Sequence, residues 1–324
     1  MREVLESTSC ALKKSRFVSI NHDNLKNFVM TFVSEKTFHP PLWDKSIHYS
    51  SNTNASSVLA YIMVLDTLNF CFWPTSNLQR WEINFEGHTL SGYAAMAVAL
   101  RIAFEENRYP IHSPEWLSTI TCNDLKNILG GEGFLQLMDE RASALQELGR
   151  ITVEKYGGSF ENFIASAGNS ATVLAKLLAS ELSSFRDMSS YKGTTVWFLK
   201  RAQILPADLA GIFDNKGPGE FNDLDKLTAF ADYKVPQVLR HIGIIQYNGL
   251  ISYSVDSGSL IPSGSEMETE IRAATIQAVE AIKTGLSEKG ILITSRNIDQ
   301  ILWDMGQKDE FRKKPYHKTV SIFY

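Results

Sequence analysis

Five stretches of the chain carry side chains whose type and spacing suit chemistry. In FADYKVPQVLRH (230–241), Pro236 fits the first turn of a helix whose buried stripe is Val235, Val238, Leu239 and Ile242. Asp232 and Tyr233 then stand just ahead of that helix. Asp232 is either its N-cap or a carboxylate held at the helix start and aimed into a pocket. In DQILWD (299–304), Asp299, Trp303 and Asp304 fall at i, i+4 and i+5, so the first two share a helix face with Asp304 beside them. That pattern is a solvated acidic edge over a core indole, or two carboxylates flanking an indole to hold a flat, cationic, hydrogen-bonding ligand. DTLNFCFW (66–73) embeds Asp66 and Asn69 in an apolar, aromatic run, where an unpaired polar group is costly. Core packing and the wall of a ligand slot are both open readings there. Lys200-Arg201 in FLKRAQILPADL and His317-Lys318 near the C-terminus are small basic clusters, read as surface charge or as a monophosphate site of two or three cations.

The elements that must position these groups are mostly helices. Tyr93, Met96, Ala97, Leu100, Ala103 and Phe104 form one stripe of a helix starting near Ser91. Val173, Leu174, Leu177, Leu178 and Leu182 form a second, and Ile271, Ala274, Ala278 and Ile282 a third. Thr121 with Asp124 three residues on predicts a capping box with Asp in place of Glu. Strand signals are few. Trp81 to Phe85 alternates, and Glu86-Gly87-His88 turns it into a short hairpin ending near Leu90, while Thr194 to Phe198 is too short to decide. The expectation is a mainly α protein with one small β-ribbon, an N-terminal tail over residues 1–15, a single domain over 16–324 with a possible division near 150, and a mobile loop at 252–265.

Composition narrows the partners. The 324 residues are 44% apolar and 21% charged, enough for a sizeable core. With 32 Lys+Arg against 36 Asp+Glu the net charge is −4, the wrong sign for an extended polynucleotide-gripping face. Cys10, Cys71 and Cys122 are scattered, and without CxxC or HExxH no zinc site or disulfide framework is expected. No Walker A loop, GxGxxG or GxSxG elbow is present. The longest apolar run, Val58 to Leu65, is eight residues, too short to span a bilayer. A soluble, cytoplasmic monomer acting on a small molecule, with no cofactor, metal or membrane partner, is the expectation.

Taken together and in order, DTLNFCFW, GHTLSGY (87–93), YGGSFENF (156–163), SFRD (184–187), KRAQILPAD (200–208), FADYKVPQVLRH, EIRA (270–273), LWD (302–304) and PYHKTVSIFY (315–324) resemble the queuosine salvage proteins, the queuosine 5'-phosphate N-glycosylase/hydrolases. The resemblance runs from about Arg16 to Tyr324. It implies a helical fold akin to helix-hairpin-helix DNA glycosylases, working on a mononucleotide. The implied reaction is hydrolysis of the N-glycosidic bond of queuosine 5'-monophosphate, giving queuine for tRNA and ribose 5-phosphate. It also implies Asp232 as the catalytic carboxylate and a base pocket of Phe230, Asp299, Trp303, Asp304 and His48, with Tyr233 alongside. Lys200, Arg201 and His317 are the candidates for the phosphate and ribose. A DNA or RNA base glycosylase and a non-catalytic helical binding protein remain the alternatives.

Overall fold

The computed structural model describes residues 1–35, 39–51, 54–75 and 78–324. In chain order the helices are α1 (Arg2–Lys13), α2 (His22–Glu35), α3 (Ala55–Leu68), α4 (Gly92–Glu106), α5 (Pro114–Leu117), α6 (Cys122–Leu129) and α7 (Met138–Tyr156). They continue with α8 (Phe160–Ala165), α9 (Ala171–Glu181), α10 (Lys200–Ile212), α11 (Lys234–His241), α12 (Gly249–Asp256), α13 (Glu266–Ser287) and α14 (Ser295–Met305). The strands are β1 (Val18–Ile20), β2 (Glu82–Phe85), β3 (His88–Ser91), β4 (Met188–Tyr191), β5 (Thr194–Trp197) and β6 (Ile245–Tyr247).

Two helices are hubs. In α3 every residue from Val58 to Leu68 is buried, as expected of a helix that is apolar on all sides. Helices α4, α7, α8 and α10 pack around it. The second hub is α13, covered by α1, α2, α11 and α14. Candidate site residues from the two assemblies meet, Lys200 on α10 from the first and Asp232 and Asp299 at α11 and α14 from the second.

The capping box is formed as expected, with Thr121 Oγ1 accepting from the Asp124 amide and Asp124 Oδ2 accepting from the Thr121 amide. The hairpin is also present: β2 pairs antiparallel with β3, with Glu86 and Gly87 at φ +48° and +79° closing a two-residue turn. The single ribbon expected is, however, one of three. Lys192 and Gly193 close a second hairpin between β4 and β5 by the same device, and β1 pairs with the distant β6. Residues 1–15 are not a tail: α1 buries Val4, Thr8 and Ala11 against α13. No boundary falls near 150, since α7 runs through that position. The 252–265 segment is mostly structured as well. The Asn248 side chain caps α12 by accepting from the Ile251 amide, and Ile261 is buried with its amide donating to the Lys318 carbonyl.

Candidate active site

Asp232 sits at the start of α11, as the capping reading expects. Its Oδ1 accepts from the amides of Lys234 at 2.7 Å and Val235 at 2.9 Å, which caps α11. The same carboxylate is only 6% exposed and shares its surroundings with Asp299 and Lys200. Asp299, on the first turns of α14, accepts from the Phe230 amide at 2.9 Å and so ties the segment before α11 to α14. Lys200 opens α10; its amide donates to Asp187 Oδ2 at 3.0 Å, which points the start of that helix at the other two groups. Among the described residues, the Lys200 ammonium makes no hydrogen bond.

Burial dominates the electrostatics here, and the charges do not balance. Burial raises Asp299 to about 8, and the neighbouring Asp232 charge pushes the same way. Asp232 is raised by burial too, but Lys200 and the two capping amides oppose the shift. Lys200 is lowered by burial, with Asp232 pulling it back. On the other side of Lys200, burial and the nearby Asp208 hold Asp66 well above the usual carboxylate range, with Lys200, Arg201 and Asn69 opposing the shift. Asp208 itself is raised to about 7 by burial, against the pull of Arg296 on α14. Carboxyls with such displaced values around one lysine are what an acid–base site looks like.

Aromatic groups close the remaining sides. His48 Nδ1 lies 2.6 Å from the Asp44 carbonyl and Nε2 lies 2.9 Å from the Tyr93 hydroxyl. Burial lowers the His48 pKa, so the ring is neutral near pH 7; the carbonyl then assigns the proton to Nδ1 and makes Nε2 the acceptor from Tyr93. Trp43 stacks on His48 with centroids 4.1 Å apart. It also rests on Gly211 of α10, where a Cβ would sit 2.8 Å from the indole. Tyr93 meets the half-buried Trp303 edge-on at 6.3 Å.

Behind the site lies a balanced ion pair. Arg272 Nη1 and Nη2 donate to Asp187 at 2.8 and 2.6 Å, and its Nε donates to the Ala231 carbonyl at 3.0 Å. One guanidinium thus fixes both the Phe230–Asp232 segment and the start of α10.

Of the residues singled out from sequence, Phe230, Asp232, Asp299, Lys200, Trp303 and His48 gather in this region. Four do not join them in the expected roles. Arg201 is fully buried, and its Nη1 and Nη2 donate to the carbonyls of Asp66, Thr67 and Ser184, so it braces the end of α3, while its Nε is buried without a partner. His317 is buried against Tyr324, and burial lowers it to about 3, which leaves it uncharged. Asp304 is exposed, 3.9 Å from Lys308, and lines a groove with Asn24, Phe28 and Phe311 that includes none of the other site residues. Tyr233 turns into a side cluster, its ring 5.0 Å from that of Tyr316. Sequence reasoning missed Asp208, Arg296, Tyr93 and Trp43 as neighbours of the site. Only Asp66, a charge inside an apolar run, had flagged that wall.

Among the described residues, no group of three or more His, Cys, Asp or Glu is placed to hold a metal ion, and no helix is long and apolar enough to cross a membrane. The family model described as queuosine salvage protein matches residues 47–324. A protein of Sphaerobacter thermophilus named queuosine 5'-phosphate N-glycosylase/hydrolase is 41% identical over 321 residues, covering 99% of this chain and 97% of its own. Proteins of the same name from Nematostella vectensis and Mus musculus are 35% and 31% identical, each over 98% of this chain and covering 97% and 98% of their own. The chain belongs to the queuosine salvage protein family.

Proposed function

We propose that this protein hydrolyses the N-glycosidic bond of queuosine 5'-monophosphate, releasing queuine and ribose 5-phosphate. The observation that carries the reading is the pairing of two buried carboxyls, Asp232 and Asp299, beside Lys200. The names borne by the relatives support the substrate. The net charge of −4 favours a mononucleotide over a polynucleotide. The helical frame we read as a relative of the helix-hairpin-helix DNA glycosylases.

Cleavage builds positive charge on the ribose ring, as in other glycosyl transfers. Asp232, whose carboxylate form Lys200 and two amides favour against burial, stands against the anomeric carbon, stabilises that charge and orients the attacking water. Queuine is a 7-deazapurine and has no N7 to protonate, so help must reach its six-membered ring. Asp299, protonated at neutral pH, supplies that proton as the C–N bond breaks, while Asp232 takes one from the water as the new C–O bond forms, and return of that proton to Asp299 restores both groups. Phe230 and Trp303 take the flat base, each contact contributing about 1–3 kcal/mol. The neutral His48, oriented by Asp44 and Tyr93, contributes to the same wall.

The test is base release by the purified protein, with EDTA present, from queuosine 5'-monophosphate, queuosine and GMP, followed by liquid chromatography. Free queuine from the monophosphate, little from queuosine and no guanine from GMP is the expected result. No base from any of the three overturns the reading.

A further inference from the structure

The aromatic wall of the site is assembled from segments far apart in sequence, and one side chain joins them. Tyr93 lies on the apolar stripe of α4, yet it is only half-buried and its hydroxyl is used. The backbone fixes where it stands. Strand β3 runs into α4 without a loop, through Gly92 at φ +66°, a left-handed conformation that favours glycine. From that junction Tyr93 reaches two ways. Its hydroxyl donates to His48 Nε2 at 2.9 Å, and its ring stands at 83° to the Trp303 indole with centroids 6.3 Å apart. The first contact ties it to the 43–48 segment and the second to α14.

His48 is itself held. Its Nδ1 meets the Asp44 carbonyl at 2.6 Å, and Trp43 covers the ring at 4.1 Å while packing on Gly211 of α10. The Asp44 carboxylate accepts from the Ser46 amide and hydroxyl at 2.8 and 2.6 Å, and Arg101, two turns along α4 from Tyr93, donates to the Ser46 carbonyl. A histidine engaged at both nitrogens and covered by an indole has little freedom to turn. It anchors the Tyr93 hydroxyl, and through it the ring that Trp303 meets. Among the described residues Tyr93 is the one aromatic ring in contact with Trp303. An indole whose plane is set before the ligand arrives loses less freedom when a base stacks on it.

We propose that Tyr93 is a positioning residue: anchored by His48, it sets the plane of the Trp303 indole for the incoming base, and so governs affinity for the base more than the rate of bond cleavage. The inference rests on the reading above in which Trp303 takes the base. The hydrogen bonds of Asp232 and Asp299 go elsewhere, to the amides of Lys234, Val235 and Phe230, which separates the two effects. Asp208 also lies beside the Tyr93 hydroxyl, so a double-mutant cycle is needed to assign the partner.

The test compares Tyr93→Phe, which keeps the ring and removes the hydroxyl, with Tyr93→Leu, which removes both. In Tyr93→Phe, KM for queuosine 5'-monophosphate and the calorimetric Kd for queuine are expected to rise about 3–10-fold, the range of one hydrogen bond. Tyr93→Leu should raise both further, because the edge-on ring contact goes as well. In Tyr93→Phe kcat should stay within about twofold of wild type, as expected when ground state and transition state lose the same binding. His48→Phe keeps a ring against Trp43 and removes both nitrogens, so in that background Tyr93→Phe should add nothing.

Queuine affinity equal to wild type in Tyr93→Phe overturns the inference, as does a fall in kcat with KM unchanged. An undiminished effect of Tyr93→Phe in the His48→Phe background also overturns it and assigns the hydroxyl to Asp208. A wild-type chain that binds queuine but releases none from the monophosphate is instead a failure of the hydrolase reading, and the Kd comparison then decides the role of Tyr93. A wild type that neither releases nor binds queuine overturns both.

Discussion

Two clusters of buried charge meet at adjacent residues, Ala231 and Asp232, and are built on opposite principles. Around Arg272 everything is matched: two bonds to Asp187, one to the Ala231 carbonyl, Glu268 at 3.6 Å, and the rings of Phe198 and Tyr324 at 4.0 and 4.3 Å from the guanidinium carbon. Although burial alone would lower it, Asp187 and Glu268 hold the Arg272 pKa above its ordinary value, so the charge is favoured where it stands. Around Lys200 the charges are not matched. Four carboxyls, Asp66, Asp208, Asp232 and Asp299, are raised and the lysine is lowered, although amides reach Asp232 and Asp299. Both clusters are out of water, so burial by itself does not distinguish them. What distinguishes them is satisfaction: a balanced network holds the wall in place, and an unbalanced one keeps its interactions for something that is not protein.

This contrast can be broken in several ways. The largest effect should come from Arg272→Ala, which strands Asp187 and Glu268 without their counter-charge and costs about 3–5 kcal/mol in denaturant unfolding. A loss below about 1 kcal/mol would mean that the balanced cluster is no more structural than its neighbour. Asp232→Asn, in contrast, should lower kcat by about 10²–10³-fold, roughly 3–4 kcal/mol of barrier, while thermal unfolding barely moves because an amide oxygen still caps α11. Full turnover in that variant would reduce Asp232 to a cap.

Smaller effects should appear with pH. Asp299 has a folded pKa of about 8, raised above its unfolded value. Its contribution to stability is therefore fully present below the ordinary carboxylate range and is lost as pH rises towards 8. Turnover that needs its proton should fall over the upper part of the same window. Asp299→Asn should remove both dependences, as read by pH-resolved unfolding and by kcat against pH. A wild-type kcat profile flat from pH 6 to 9 would take the proton-donor role away from Asp299. The smallest effect should be a gain: Asp66→Asn removes a carboxyl whose charged form burial disfavours and should stabilise the fold by about 1 kcal/mol at pH 8, with less gain as pH falls towards the ordinary carboxylate range. Destabilisation at pH 8 would show that Asp66 belongs with the balanced set.

How far the site could be read from sequence depends on how local each signal was. Asp299 and Trp303 were legible because their spacing on one helix places them on one face whatever the helix packs against. Asp232 was legible as a choice between cap and pocket carboxylate, and the structure gives it both surroundings. Arg201 and His317 read as a basic pair and a C-terminal histidine, yet both are buried, Arg201 against carbonyls of α3 and Ser184 and His317 against Tyr324. Asp304 shows the limit of a one-residue step on a helix: about 100° from Trp303, it faces another groove. The extra ribbons escaped notice because three-residue strands such as β1 and β6 carry too little pattern and pair over more than two hundred residues.

By itself, the sequence determined the helical class, the helix faces, the capping box at Thr121, the β2–β3 turn and the residue types available for glycosidic chemistry. These follow from interactions within a few residues, which periodicity and turn chemistry record directly. Only the tertiary structure decided which charges are balanced. Lys200, Asp66 and Asp208 come from the α3 assembly, and Asp232, Asp299 and Arg296 from the α13 assembly. Whether an ionisable group there is paired, stranded or neutralised depends on what the opposite assembly brings within a few ångströms. Desolvation and Coulomb energies depend on that distance and not on separation along the chain, so no local pattern encodes them.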